Sequence, residues 1–323
     1  MDILVTGGAG YIGSLLVRLL LNEGHNVHVA DQLLFGGEAI LDLLNDDHFS
    51  FTKADVRDQA TMTELVKNKD AVVHLAAIVG DPACAKAPEL ARSTNLTASK
   101  QLYELARAAG VQRFVFASTC SNYGKMEDPN AMVDENSPLR PVSLYAETKV
   151  AFEKFLLEQD RESSCKPTCL RFSTVYGLSP RPRFDLTVNE FTKELALERE
   201  LVVFGEQFWR PYCHVKDLAR SVVLVLNAPA EKVAFDVFNV GDTDENYQKQ
   251  MIVEAIVREL PEAKINYVQK DEDPRDYRVS FRKIQQQLGY AVTLTVPDGI
   301  RQVLKTVREG FYQNPDDAKY RNS

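Results

Sequence analysis

A chain of 323 residues with 46 acidic and 38 basic side chains carries a formal charge of −8, which argues against a general nucleic-acid binder or a protein that docks on anionic membranes. At 45% hydrophobic and 26% charged residues it has the composition of a globular protein, long enough for one large α/β domain or two that pack closely. Five cysteines (Cys84, Cys120, Cys165, Cys169 and Cys213) lack zinc-type pairing and read as reduced thiols; with no signal peptide and no apolar run of the roughly 18 residues a membrane span needs, the expectation is a cytoplasmic protein with no bound metal.

The first half alternates short apolar runs with helical patterns, which predicts parallel βαβ units. Strands are expected at 3–6, 26–30, 50–53, 71–75, 114–117 and 168–172, with helices over 12–22, 59–67, 88–109 and 144–161. From 176 to 213 the rhythm changes, and Pro180, Pro182 and Pro211 bracket a helix over 186–198 and a strand at 201–204. A helix at 215–226 and a strand at 237–240 follow, then a helix at 248–260, charged loops and a last helix ending near Phe311. Residues 314–323 read as a frayed tail.

Residues 3–6 lead into Gly7-Gly8-Ala9-Gly10-Tyr11-Ile12-Gly13 and then an apolar helix. Strand, glycine turn and helix set bare backbone amides and a helix N-terminus against a pyrophosphate. Gly7 permits the tight turn, Gly10 the close approach of the phosphates, and Gly13 close packing of helix on sheet. The second strand ends in Asp31, 18 residues after Gly13, where a carboxylate accepts the adenosine ribose hydroxyls and repels a 2′-phosphate, so NAD is expected over NADP. Asp55 and Val56 follow the third strand, in position to meet adenine. His74, Leu75, Ala76 and Ala77 end the fourth, with small residues that let a cofactor lie close. The fold class is therefore α/β: a Rossmann-type doubly wound parallel sheet from 1–175 plus about 215–241, and a smaller C-terminal α/β substrate-binding lobe from about 176–214 plus 242–313.

Tyr145 and Lys149 stand four apart in a helical stretch, on one face and one turn apart. By itself the spacing fits any solvated helix face. Beside a dinucleotide site, a lysine cation that lowers the tyrosine pKa would make the phenol a general acid/base for a hydroxyl.

These features together resemble the extended short-chain dehydrogenase/reductases, in their nucleotide-sugar epimerase/dehydratase branch. The resemblance covers nearly the whole chain and is carried by TGGAGYIG (6–13), Asp31, His74 to Ala77, Ser118 to Gly124, YAETK (145–149), LRFSTVYG (170–177) and RPYCHVKD (210–217). It implies a triad in which Tyr145 takes the proton from a sugar hydroxyl, Lys149 lowers the Tyr145 pKa and holds the nicotinamide ribose, and Thr119 hydrogen-bonds the reacting oxygen. It further implies that Arg210 holds the substrate diphosphate, with Asn189 and with Arg275 of the Asp273-Pro274-Arg275-Asp276 motif as additional contacts. His214 is expected to be a structural hydrogen-bonder. Homodimers pairing helices 88–109 and 144–161 are the family's habit.

The departures narrow the reaction. Where the family's 4,6-dehydratases carry an Asp-Glu pair after the catalytic Thr, this chain has Cys120 and Ser121, which disfavours dehydration. The related decarboxylases keep a Glu at the Ser121 position, and the enzymes that epimerise C3 and C5 a Cys there. Hydride chemistry at C4 of a nucleotide-diphosphate sugar remains, with a 4-epimerase expected first and a C4-oxidase or 4-keto reductase of a GDP- or UDP-linked sugar, such as a GDP-heptose, as the alternative. Two other classes stay open: a non-catalytic NAD-sensing protein on the same fold, against which the intact Thr119, Tyr145 and Lys149 speak, and a reductase of a non-sugar carbonyl, against which Arg210 speaks.

Overall fold

The structure is a computed structural model that describes every residue except 127, 129, 130, 271, 272, 274 and 323; Pro274 of the 273–276 motif and Ser323 of the tail thus lie outside the described residues. Strand β1 (Asp2–Thr6) is followed by α1 (Gly13–Asn22), β2 (Asn26–Asp31), β3 (Phe49–Lys53), α2 (Gln59–Leu65) and β4 (Ala71–His74). Next come α3 (Asp81–Lys86), α4 (Pro88–Arg92), α5 (Ser99–Ala108), β5 (Arg113–Thr119), α6 (Leu144–Leu157), β6 (Lys166–Phe172) and β7 (Thr174–Tyr176). The chain continues through α7 (Thr187–Ala196), β8 (Leu201–Phe204), β9 (Trp209–His214), α8 (Val215–Asn227), α9 (Ala230–Val233) and β10 (Asp236–Val240). It closes with β11 (Asn246–Gln248), α10 (Lys249–Glu259), β12 (Ile265–Val268), α11 (Arg282–Leu288) and α12 (Val296–Arg308).

Seven parallel strands form one sheet in the order β3-β2-β1-β4-β5-β6-β10. Helices cover both faces, so the strands are apolar on both sides; Ile3, Leu4 and Val5 are all fully buried. On one face α1 and α8 supply Leu16, Val17, Leu20, Leu218 and Val222. On the other, α2, α5 and α6 supply Met62, Leu102, Tyr103, Phe152 and Leu156. Strand order reverses beside β1, so the chain leaves β1 and β4 in opposite directions and a crevice opens at their carboxyl ends.

A smaller lobe has a core of its own. There β9 pairs with β7 in parallel and β11 in antiparallel fashion, β8 pairs with β12, and α7, α10 and α12 close a core of Val188, Leu195, Ile252, Ile256, Ile300 and Leu304.

Three expectations need correction. The helix expected over 88–109 is not continuous: between α4 and α5 it widens into a π-wound stretch at Ser93–Ala98. The Ser99 hydroxyl donates back to the carbonyls of Thr94 and Asn95, and the Asn95 amide leaves the helix to bond both backbone groups of Ile78; such side-chain bonds compete with the regular ladder. Pro211, expected to bound an element, lies inside β9, because at that residue only β11 is a neighbour and no donor is needed on the other side. The tail is docked rather than frayed. Asp316 pairs with Lys193 and Arg199 at 2.6 Å each, the Phe184 N–H donates to the Tyr320 carbonyl, and the Tyr320 ring joins Phe184 and Tyr312 edge to face.

Helix α6 is fastened to the sheet by a buried ion pair, Glu153 with Arg171 of β6, and the Ser118 hydroxyl donates to the same carboxylate at 2.8 Å. Removing one partner of such a pair leaves an uncompensated buried charge, so Glu153→Ala should destabilise the protein by about 3–5 kcal/mol in urea unfolding, whereas Glu153→Leu with Arg171→Met should recover most of that loss.

Candidate active site

The glycine turn is fixed by what surrounds it. Gly7 has φ +79°, and a Cβ there would sit 2.7 Å from the backbone nitrogen of Ala76; a Cβ on Gly13 would lie 2.2 Å from the Gly7 carbonyl oxygen. Only bare backbone fits at these two positions. Gly7, Gly10, Tyr11, Ile12 and Gly13 line a cleft of about 310 Å³ at the crevice, with Asp31, Val56, Leu75, Ala76 and Ala77 around them. Asp31 accepts the N–H of Leu33 at 2.8 Å on one oxygen and that of Ala9 at 3.0 Å on the other. Burial raises its pKa and these amides oppose the rise; each oxygen keeps a further lone pair for a diol.

Asp55, expected near adenine, does not itself line the cleft. Its carboxylate receives the backbone N–H and the guanidinium of Arg57, which hold it below its ordinary value, and it is Arg57 and Val56 that line the cleft. His74 bridges Thr6 and Ser99 at 2.7 and 2.8 Å, and burial, then Lys149, pushes it down to about 3. It is a neutral strut under the crevice.

At the far end of the same cleft stand Thr119, Tyr145 and Lys149. Thr119 ends β5 and its Oγ1 accepts the Ser121 N–H at 3.1 Å, which leaves the hydroxyl proton to donate. Ser143 caps α6 through the Ala146 N–H, so Tyr145 lies in the first turn and Lys149 one turn on. The Lys149 ammonium donates to the Ala117 carbonyl at 2.8 Å, lies over the Phe116 ring, and is 5.8 Å from the Tyr145 ring centre.

The expected lowering of the Tyr145 pKa by Lys149 is not what the protein alone provides. Burial pushes the Tyr145 phenol well up, with Cys84 and Asp81 adding to the rise and Arg183 opposing it. Burial likewise pushes the Lys149 amine down to about 8, only partly offset by Cys84. In a dry pocket both neutral forms gain, and this outweighs the pull of one on the other.

The candidate substrate contacts lie outside this cleft. Arg210 pairs with Asp273 at 2.7 Å and donates to the Trp209 carbonyl; Arg275 pairs with Asp81 at 2.9 Å. Asp81 also accepts the hydroxyl of Ser143, the cap of α6. Asn189, expected at the substrate, is buried with both ends of its amide engaged: it binds Gly177 through N–H and carbonyl and donates to the Tyr11 hydroxyl and the Arg183 carbonyl. His214 caps α8 through the Lys216 N–H and meets Gln302. Lining residues not foreseen include Phe35, Thr94, Arg181, Arg183 and Asn322; the run Pro180-Arg181-Pro182-Arg183 stands in the sequence, but that both arginines reach the cleft depends on how the chain after β7 folds. Among the described residues no group of three or more His, Cys, Asp or Glu side chains is placed to hold a metal ion, and no helix is long and apolar enough to cross a membrane.

Residues 3–241 match the model of the NAD dependent epimerase/dehydratase family. The UDP-glucose 4-epimerase of Lactobacillus helveticus is 30% identical over 272 residues, 79% of this chain and 80% of the relative. A dTDP-glucose 4,6-dehydratase of Streptomyces niveus is 30% identical over 347 residues, covering 98% and 97% of the two chains. Among solved structures, the UDP-glucuronic acid 4-epimerase from Bacillus cereus, in complex with UDP-glucuronic acid and NAD, superposes with a TM-score of 0.86 at 26% identity, over 97% of this chain and 100% of that one.

The depressed Lys149 value has a measurable sign. Between about 8 and the ordinary 10.5 the unfolded chain binds more protons than the folded one, so this group's contribution to stability rises with pH through that window. The Tm of dinucleotide-free protein relative to its Lys149→Met variant should climb between roughly pH 7.5 and 9.5; a flat difference would mean the ammonium is solvated as in water.

Proposed function

The chain belongs to the NAD dependent epimerase/dehydratase family, and from that premise we propose that it is an NAD-dependent 4-epimerase of a nucleotide-diphosphate sugar. The observation that carries the reading is one cleft that joins the dinucleotide-binding turn and Asp31 to Thr119, Tyr145 and Lys149, with no acid following Thr119. Cys120 turns away into the core, its thiol donating to the Arg171 carbonyl at 3.2 Å and pushed up by burial. Ser121 supplies no proton at a useful pKa. Dehydration, which the Streptomyces relative's name would suggest, lacks its acid pair here.

Gly7 to Gly13 and Asp31 fit a dinucleotide: the turn offers amides where any Cβ would clash, and the carboxylate keeps acceptors for a ribose. NAD, when bound there, would supply a reversible hydride acceptor for C4 and a positive charge in the pocket. Thr119 donates to the C4 oxygen and holds it. Tyr145 takes the hydroxyl proton and gives it back. Lys149, anchored on Ala117, supports the phenolate and the nicotinamide ribose. Arg210 and Arg275 receive the substrate diphosphate, in exchange for their present partners Asp273 and Asp81. A C4-oxidase or 4-keto reductase would use the same groups but release the reduced or oxidised cofactor at each turnover.

Two copies pair through α5 and α6, a reading supported by the partly exposed Leu105, Phe155 and Leu157 on those helices. A cytoplasmic setting accords with five free cysteines.

Incubation with UDP-, GDP- and dTDP-sugars, followed by NMR of the C4 configuration, tests the activity. Tyr145→Phe should lower turnover about 10²–10⁴-fold while NAD remains bound; an unimpaired variant would remove Tyr145 from its role. Leu105→Glu should shift the protein from dimer to monomer in sedimentation.

A further inference from the structure

The segment that leaves β7 crosses directly over the glycine turn. The Ser179 hydroxyl donates to the Tyr11 carbonyl at 2.6 Å and meets the Ser14 hydroxyl, in the first turn of α1, at 3.1 Å. Two residues on, Arg181 is 5% exposed, lies with its guanidinium 4.0 Å over the Phe35 ring, and lines the cleft together with Gly10, Asp31 and Gln32. A guanidinium this buried is ordinarily matched by a carboxylate. Arg181 has instead one hydrogen bond, from Nη2 to the Arg321 carbonyl at 3.0 Å, and its buried Nε has no partner.

The other cations lining the cleft are engaged. Arg57 is paired with Asp55, Arg183 with Asp185, and Lys149 donates to Ala117. Among the described residues Arg181 and Lys149 line the cleft without an ion pair, and of the lining cations Arg181 alone keeps a buried nitrogen with no hydrogen-bond partner, though Asp31 and Asp185 lie near enough to act on its charge. Beside it the docked tail supplies a second unmatched group: Asn322, whose N–H is held by Asp185 at 3.0 Å, lines the cleft with its buried Oδ1 unpartnered. Arg181 and Asn322 both come from outside the large sheet, yet both face the turn that receives a pyrophosphate.

We propose that Arg181 clamps the diphosphate of the bound dinucleotide, and that the docked segment 316–322 holds the clamp in place from the far side. The inference rests on the reading that this cleft takes NAD. It adds to the backbone amides of the glycine turn a full positive charge with fork geometry, delivered by the smaller lobe. A 2′-phosphate is the other anion a guanidinium near Asp31 could meet, but the Asp31 carboxylate would repel it. Because Arg181 is anchored by Ser179 on one side and by Arg321 on the other, the cofactor leaves only when the smaller lobe lets go.

The test uses full-length protein stripped of dinucleotide, with NAD, NADP, ADP and adenosine titrated by calorimetry. Arg181→Met keeps the stem over Phe35 and removes the charge. It should weaken NAD and ADP about ten- to hundredfold, as expected for losing hydrogen bonds to a charged group, and leave adenosine within about twofold. Arg181→Lys should restore part of the loss and Asn322→Ala should speed NAD release; should the Met variant melt early, Arg181→Lys alone must still weaken ADP relative to adenosine. Equal weakening of adenosine and ADP would mark Arg181 as structural, a loss confined to NADP would mark it as a 2′-phosphate reader, and unchanged affinities would remove it from the site; each overturns the proposal. Failure of the wild-type protein to bind NAD at all would instead overturn the reading of the cleft.

Discussion

The position of the chemistry depends on one buried ion pair. Glu153 and Arg171 meet between α6 and β6, both nearly inaccessible to water. Taking two charges out of water costs several kcal/mol each, and attraction alone does not guarantee a net gain. Here the pair sits in a network: Ser118 and Asn122 reach the Glu153 carboxylate, Arg171 also donates to the Tyr123 hydroxyl, and that hydroxyl donates to Asn239. Tyr145, Lys149 and Glu153 are spaced at i, i+4 and i+8, so a single anchor at the third fixes the azimuth of the other two. Ser118 immediately precedes Thr119, so the same carboxylate also positions β5. Thr119, Tyr145 and Lys149 are thus set by one carboxylate to which none of them is bonded.

Dryness governs the rest. Burial raises the Tyr145 phenol and lowers the Lys149 amine to about 8, so at neutral pH the protein by itself holds a neutral phenol beside a lysine that keeps most of its proton. Further positive charge beside the phenol would favour its ionised form. The same exclusion of water holds His74 neutral between Thr6 and Ser99, and makes an unmatched guanidinium such as Arg181 conspicuous.

What could be read from the sequence follows the range of the forces involved. The turn at 7–13, Asp31 at the end of β2, and the Tyr145–Lys149 spacing are local: each is dictated by backbone geometry within a few residues, and the structure places them around one cleft. The seven-stranded sheet was legible because buried parallel strands are continuous apolar runs. Less local features escaped. Strands β7, β9, β11 and β12 are three to six residues long and gain their hydrogen bonds only from distant partners. The π-wound stretch before α5 depends on Asn95 finding Ile78 across a loop. The hold of Arg57 on Asp55, two residues away, needs both side chains placed. The tie that the Asn189 amide makes between α7 and Tyr11 spans more than 170 positions. The tail looked unstructured because its composition is polar, yet Asp316 finds two cations that the sequence keeps more than a hundred positions away.

These long-range ties converge on the glycine turn from the smaller lobe. Tyr11 donates to the Gly177 carbonyl and receives the Asn189 amide, Ser179 binds the Tyr11 carbonyl, and Arg183 stands over the Tyr11 ring. The dinucleotide cleft is therefore not an open groove on the sheet edge but a space with a floor from one lobe and a wall from the other. Such an enclosure slows exchange of whatever it holds. That is a liability for an enzyme whose cofactor must leave after each turnover to be reoxidised elsewhere. It is no burden for one that removes a hydride from a carbon and puts it back, since its cofactor is regenerated in place. A wall of this kind suits a cofactor that is regenerated in place.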